Sequence, residues 1–295
     1  LNDIKQDNMN SEFPVITLLT DFGEVDGFVA TMKGVMQSIH PQAKFIDITH
    51  QISPQDIHQA AFILMTTASF FPTGTVHLVI VDPGVGSRRR PIAVKTDQYQ
   101  FVAPDNGVLS YVLPKDTHYQ AYELANPSFH LPDVSHTFHG RDIFSPAAAH
   151  LAAGVPIDKL GPPMDEIVRL ELPTLIIEGD QILGEVLNID HFGNVRTSIA
   201  SLAWGAPGTL VLHPLWGRSE QSPIMVRFSA KDAEVHIGER MIVGIAETFS
   251  GVPPGQEVAF VGSEHALEVA VNQGSMASMF GISRGDEIKV LLKLE

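Results

Sequence analysis

The sequence predicts an α/β N-terminal domain with a mostly parallel central sheet, followed by a C-terminal all-β domain of barrel-like form. Two observations carry that expectation. The first 80 residues alternate short Val- and Ile-rich runs with helical periodicity, the pattern of strands covered on both faces by crossover helices. From about residue 179 the runs become short, alternate with period two and are separated by Gly, Pro or Asp turns, with hardly a helix between them. Between these regimes lie Gly161-Pro162-Pro163 and an extended stretch to Pro173, which gives domains at 12–173 and 180–295.

The elements follow in order. After a polar lead-in, Val15 to Leu19 is a short apolar strand that ends at Thr20, Asp21 and Gly23. Phe28, Met32, Val35, Met36 and Ile39 then share one helical face, with Pro41 as the stop. KFIDITH is the second strand. Ser53, as cap, and Pro54, in the first turn, open the next helix, DIHQAAFILMTTASFF. Gly74 precedes the third strand, VHLVIVD. IAVKTDQYQFVAP reads as a hairpin, and Pro104 to Gly107 as a turn leading into a short helix. A further helix follows Arg141 and closes at Gly154. The C-terminal domain is read as eight strands: QILGEVLNID, NVRTSI, PIMVRFSA, AEVHIG, RMIVGIAETF, EVAFVG, ALEVAVN and EIKVLLKL.

Composition narrows the function classes. The 295 residues include 19 basic and 34 acidic side chains, a net charge of -15, which argues against a broad nucleic-acid footprint. The absence of cysteine excludes disulfides, thiolate nucleophiles and cysteine-ligated metals. No apolar run is long enough to span a bilayer and the polar start lacks a signal-peptide core, so no membrane partner is expected and the cytoplasm is the default compartment. The 13 histidines show no metal-binding spacing, and no metal is expected.

The candidate chemistry sits where strands meet loops. Asp21, Asp47 and Asp82 are placed at such junctions, where ligands settle in open α/β sheets. Asp47 fits an ordinary turn or cap residue best, whereas Asp21 and Asp82 precede glycine-containing loops that let backbone approach a ligand. The loop DPGVGS has neither P-loop nor dinucleotide spacing, which leaves a nucleoside without phosphates open. Arg88, Arg89 and Arg90 follow it in an otherwise acidic chain, and an arginine seven residues after Asp82 can fold back as a charge-assisted pair. His139, Arg141 and Asp142 open a helix, as site residues or as a simple capping set. DHFGN, 190–194, offers a carboxylate, a ring and an amide suited to purine edges.

Seven segments taken together resemble a known family: TDFG at 20–23, MKGV at 32–35, VDPGVG at 81–86 with its arginines, PDNG at 104–107, FHGRDIF at 138–144, FGNV at 192–195 and LEVAVNQG at 267–274. They are similar to the S-adenosylmethionine hydroxide adenosyltransferases, adenosine-forming hydrolases related to fluorinases and chlorinases. The resemblance implies hydrolysis of S-adenosyl-L-methionine (SAM) to adenosine and L-methionine, with SAM as substrate and no cofactor. It also implies a homotrimer with inter-subunit sites. Asp82, Arg89 and His139 match the family's catalytic Asp-Arg-His set. Asp21 matches the carboxylate on the ribose hydroxyls, Asp190 the one near the methionine ammonium, and Asn194 the amide that reads adenine. Phe249 is the candidate aromatic wall. The fluorinases carry a tyrosine at the Asp82 position, a tryptophan at Gln55 and an arginine at Glu264. The absence of the fluorinase pattern at Asp82 favours water over fluoride, and at Glu264 either other donors hold the methionine carboxylate or the alignment slips by a residue in that turn. A SAM-dependent halogenase and a non-catalytic nucleoside or SAM binder are the alternatives.

Overall fold

The computed structural model describes residues 14–114, 117–215 and 225–293, and the chain divides into two compact units, Leu1–Leu170 and Glu171–Glu295. The polar lead-in, Pro223 and Ile224 of the third C-terminal run, and Leu294 lie outside the described residues.

The first unit is built on seven strands: β1 (Val15–Thr20), β2 (Lys44–Thr49), β3 (Val76–Ile80), β4 (Pro91–Lys95), β5 (Gln100–Pro104), β6 (Gln120–Glu123) and β7 (Pro163–Met164). Their order is β2-β1-β3-β5-β4-β6-β7. The first four pair in parallel, and β4, β6 and β7 extend the sheet through antiparallel pairs. Among the described residues three α-helices accompany them: α1 (Phe28–Ile39), α2 (Ile57–Ala68) and α3 (Ser145–Ala152).

Alternation along β1 and β3 explains why both faces need cover. Ile16, Leu18, Leu78 and Ile80 join one buried cluster with Met32 and Met36 of α1 and the alanines of α3. Leu19 and Val79 point the other way, into a cluster with Ala60 and Leu64 of α2. Because β1, β2 and β3 are parallel, their outgoing loops leave from one edge of the sheet, and that edge positions the candidate site.

Local details depart from the sequence reading. Helix α2 starts at Ile57, with the Asp56 side chain, and not Ser53, accepting from Gln59 N at 2.9 Å. Pro54 lies before the cap, because Gln55 takes a left-handed φ of 68° and turns the chain once more before the helix. Strand β2 runs on to Thr49, so Asp47 is a strand residue opposite Leu18. After Gly107 the chain makes successive turns instead of a helix; Gly107 has φ 95°, and the Ser110 hydroxyl donates to its carbonyl at 2.6 Å.

The second unit contains β8 (Leu175–Glu178), β9 (Gln181–Ile189), β10 (Val195–Ala200), β11 (Leu202–Trp204), β12 (Thr209–Leu212), β13 (Val226–Ser229), β14 (Glu234–Ile237), β15 (Arg240–Val243), β16 (Ile245–Ala246), β17 (Glu257–Val261), β18 (Ala266–Val271) and β19 (Glu287–Leu291), with one short helix, α4 (Met276–Phe280). The main sheet follows β15-β14-β19-β9-β10-β18-β17-β16, with β8 beside β9, and β11-β12-β13 forms a separate sheet. Arg240 of β15 pairs with Glu257 of β17, tying together regions near opposite ends of the strand path, so the sheet curls into a nearly closed barrel. Gly244, at φ 85°, splits the expected RMIVGIAETF run into two strands. Strands β8, β11 and β12 are additions to the eight runs read from sequence; Gly205, Pro207 and Gly208 disguise the β11–β12 hairpin as loop.

Candidate functional site

The chain after β3 turns back on itself, as the Pro-Gly-x-Gly spacing suggests. Val85 N bonds Asp82 O at 3.2 Å, and Ser87 N bonds Gly84 O at 3.1 Å, which returns Arg89 to Asp82. Arg89 Nε donates to Asp82 Oδ1 at 2.9 Å and its Nη2 donates to Oδ2, a two-point fork. The same Nη2 donates to His139 Nδ1 at 3.0 Å. Arg89 also stands over the Phe144 ring, 5.1 Å from its centroid. The side chains of Asp82 and Arg89 retain 5% and 8% of their exposure, so the pair is largely dry. Arg89 Nη1 is buried and has no hydrogen-bond partner among the described residues.

Glycine makes this convergence possible. Gly86 has φ 76°, and a Cβ there would lie 2.5 Å from the carbonyl oxygen of His136. The loop after β3 therefore presses against the segment that delivers His139. That segment is held in turn by Asp142, whose fully buried carboxylate accepts from Arg141 Nε at 2.6 Å and from Ser135 N at 2.9 Å. Burial pushes the Asp142 carboxyl up, but these donors outweigh it and its pKa lies below the usual value. Gly140–Phe144 is a π-turn entering α3, with Ser145 N reaching back to Gly140 O.

Burial lowers the His139 pKa, and the neighbouring Arg89 charge adds to that, against opposing effects of Asp82 and Asp142. The ring is therefore neutral near pH 7. With Nδ1 accepting from Arg89, its hydrogen sits on Nε2.

Asp82 and His139 open onto a small pocket of about 120 Å³, partly open to solvent. Asp82 and His139 line it together with Phe22, Phe28 and Phe138. The three rings form one aromatic wall with centroids 5.2 to 6.0 Å apart. Sequence reading overlooked this wall, although each ring lies in an element already singled out: Phe22 in TDFG, Phe28 on the first helical face and Phe138 in FHGRDIF. Asp21 precedes Phe22, and its Oδ2 accepts from Gln55 N at 2.8 Å. The left-handed turn that displaced the start of α2 thus serves to present this amide. Arg88 is exposed, while Arg90 ties Asp105 through Nε at 2.9 Å and has a structural partner.

The remaining predicted residues belong to the second unit. Asp190 closes the turn between β9 and β10: Oδ1 accepts from Phe192 N and Asn194 N, both at 2.9 Å, and Oδ2 from Asn194 Nδ2 at 2.8 Å. Gly193, at φ 83°, packs so tightly on Ser275 that a Cβ would fall 2.0 Å from its hydroxyl. Phe249 is half exposed and packs edge-on to Phe260 at 6.0 Å. Glu264 meets Arg196 at 3.3 Å, and Glu268 approaches the same guanidinium at 3.4 Å. Among the described residues, no group of three or more His, Cys, Asp or Glu side chains could hold a metal ion. No helix among them is long and apolar enough to cross a membrane.

Comparison with known proteins bears on this geometry. The chain is 38% identical over 281 residues to an (R)-S-adenosyl-L-methionine hydrolase of Salinispora tropica, covering 94% of this chain and 97% of that protein. It is 29% identical over 311 residues to a fluorinase of Nocardia brasiliensis, covering 95% and 98%. The crystal structure of a conserved protein from Thermotoga maritima superposes with a TM-score of 0.79 at 32% identity, covering 94% of this chain and 99% of that one. The models of the SAM hydroxide adenosyltransferase N-terminal and C-terminal domains match residues 16–161 and 184–289. With both domain models matched in order across most of its length, the chain belongs to the SAM hydroxide adenosyltransferase family.

Proposed function

We propose that the protein hydrolyses SAM to adenosine and L-methionine by attack of water on the ribose C5' carbon. The observation that carries this reading is the hydrogen-bonded Asp82–Arg89–His139 set, two members of which, Asp82 and His139, line a pocket, in a chain related to SAM hydrolases. Water bonds to C5' as the carbon–sulfur bond breaks, the electron pair leaves on sulfur, and methionine departs as a neutral thioether. The entering oxygen sheds a proton. Asp82 keeps lone pairs beyond those engaged by Arg89 and can accept it, while the unpartnered Arg89 Nη1 is a ready donor to the hydroxide-like oxygen. Neutral His139, held through Nδ1, presents Nε2–H as a second orienting donor.

In this reading the aromatic wall excludes competing bulk water and Asp21 takes the ribose diol. Asp190 and Asn194 receive the amino acid and the purine, with Phe249 as an apolar face. A homotrimer belongs to the same proposal and is checked by light scattering. Incubation with SAM in oxygen-18 water tests the chemistry. Label at the 5' oxygen of adenosine supports it, and unlabelled adenosine rejects it. The fluorinase relative motivates one competing arm, in which formation of a 5'-halo-adenosine with chloride present would assign a halogenase instead.

A further inference from the structure

A chain of polar contacts runs beneath the loop that carries Asp21 and Phe22. Lys33 Nζ donates to Asp47 Oδ2 at 2.6 Å, and Asp47 Oδ1 lies 3.1 Å from His50 Nε2. His50 Nδ1 is 2.9 Å from the hydroxyl of Thr20. Thr20 Oγ1 already accepts from Phe22 N at 3.3 Å, so its hydrogen is available to Nδ1. That direction leaves the imidazole hydrogen on Nε2, which lies close to the carboxylate without forming a hydrogen bond to it. The His50 carbonyl also accepts from Gly23 N at 2.8 Å. One residue, 5% exposed, therefore grips the loop at both ends: through its side chain at Thr20 and through its backbone at Gly23.

The arrangement is directional in a way that an apolar filler would not be. Lys33 comes from α1, Asp47 from β2, His50 from the loop after β2, and Thr20 from the end of β1. Burial tends to raise the Asp47 pKa, but Lys33 and His50 outweigh it and keep the carboxyl below its ordinary value. Asp47 lies beside the ring as a close contact, and the ring is tied to Thr20 through Nδ1. Asp21 and Phe22, a pocket-lining residue, are the next two positions.

We propose that His50 is a positioning residue for nucleoside recognition, acting through Thr20 to present Asp21 to the ribose diol. The inference rests on the adenosine-site reading above. Its test uses the full chain and two nucleosides, adenosine and 2',3'-dideoxyadenosine, with affinities measured by calorimetry. Wild type is expected to prefer adenosine. His50→Ala should lower adenosine affinity by roughly tenfold, the scale of about one hydrogen bond to a charged group, and collapse the preference. His50→Asn, whose side-chain oxygen can accept from Thr20, should restore most of it. Should His50→Ala fail to fold, Thr20→Val removes the same link at constant shape and is expected to lose the preference too. A purely structural role would weaken both nucleosides together. A folded variant that keeps the wild-type ratio overturns the inference alone, whereas wild type that binds neither nucleoside overturns the adenosine-site reading and this inference with it.

Discussion

Replacing Arg89 by alanine separates what the buried ion pair does for stability from what it does for reaction. Asp82 retains only 5% of its side-chain exposure, so removing the guanidinium leaves a carboxylate that is both dry and unpaired. Losing one partner of such a pair costs about 3–5 kcal/mol of folding free energy. Loss of the Phe144 contact acts in the same direction. Catalysis should suffer separately, because Nη1 is the orphaned donor and Nη2 holds His139. Removing a preorganised donor to developing negative charge lowers kcat by about 100- to 1,000-fold. Urea denaturation measures the first effect, and the rate of adenosine formation, with KM changing less than kcat, measures the second. The double variant Asp82→Asn with Arg89→Ala should recover part of the stability and none of the rate. A folded Arg89→Ala protein with kcat within about threefold of wild type would refute the reasoning, since the scale set by loss of one such donor is far larger.

Three further outcomes follow from particular residues. Gly86→Ala should destabilise the protein by more than Gly74→Ala and also depress kcat: both glycines have positive φ, but only at Gly86 would the added Cβ meet a backbone oxygen, at 2.5 Å. Paired urea titrations and rates check this. Burial raises the Glu268 pKa to about 7, against the pull of Arg196 and with help from Glu264 and Asp190. Since the folded state then binds this proton more tightly than the unfolded one, its stabilising contribution is full below about pH 4.5 and is lost as pH rises through about 7. Glu268→Gln should therefore be more stable than wild type at pH 8 by up to about 3 kcal/mol, with the gain vanishing toward pH 4.5, by denaturation across pH. His77 has the opposite sign: burial lowers its pKa to about 4, so its contribution is present above about pH 6.5 and falls as pH drops toward 4. His77→Gln should flatten that acid limb.

The sequence by itself determined the division into an α/β and a β region, because strand burial on two faces and on one face leave different periodicities that need no partner to be read. It also marked Asp82, Arg89 and His139, and the Pro-Gly-x-Gly spacing that allows Arg89 to return, since positive φ is a local property of glycine. Boundaries were less legible. Ser53 looks like a cap as much as Asp56 does, and only the left-handed turn at Gln55 decides between them. Hairpin β11–β12 was hidden because its glycines and proline dominate the local pattern while its pairing is a contact between strands. The tertiary structure alone decided the aromatic wall, the dryness of the Asp82–Arg89 pair and the chain from Lys33 to Thr20. Each joins residues from separate elements, and distance, burial and hydrogen-bond direction exist only once the parallel strands have brought their loops to one edge of the sheet.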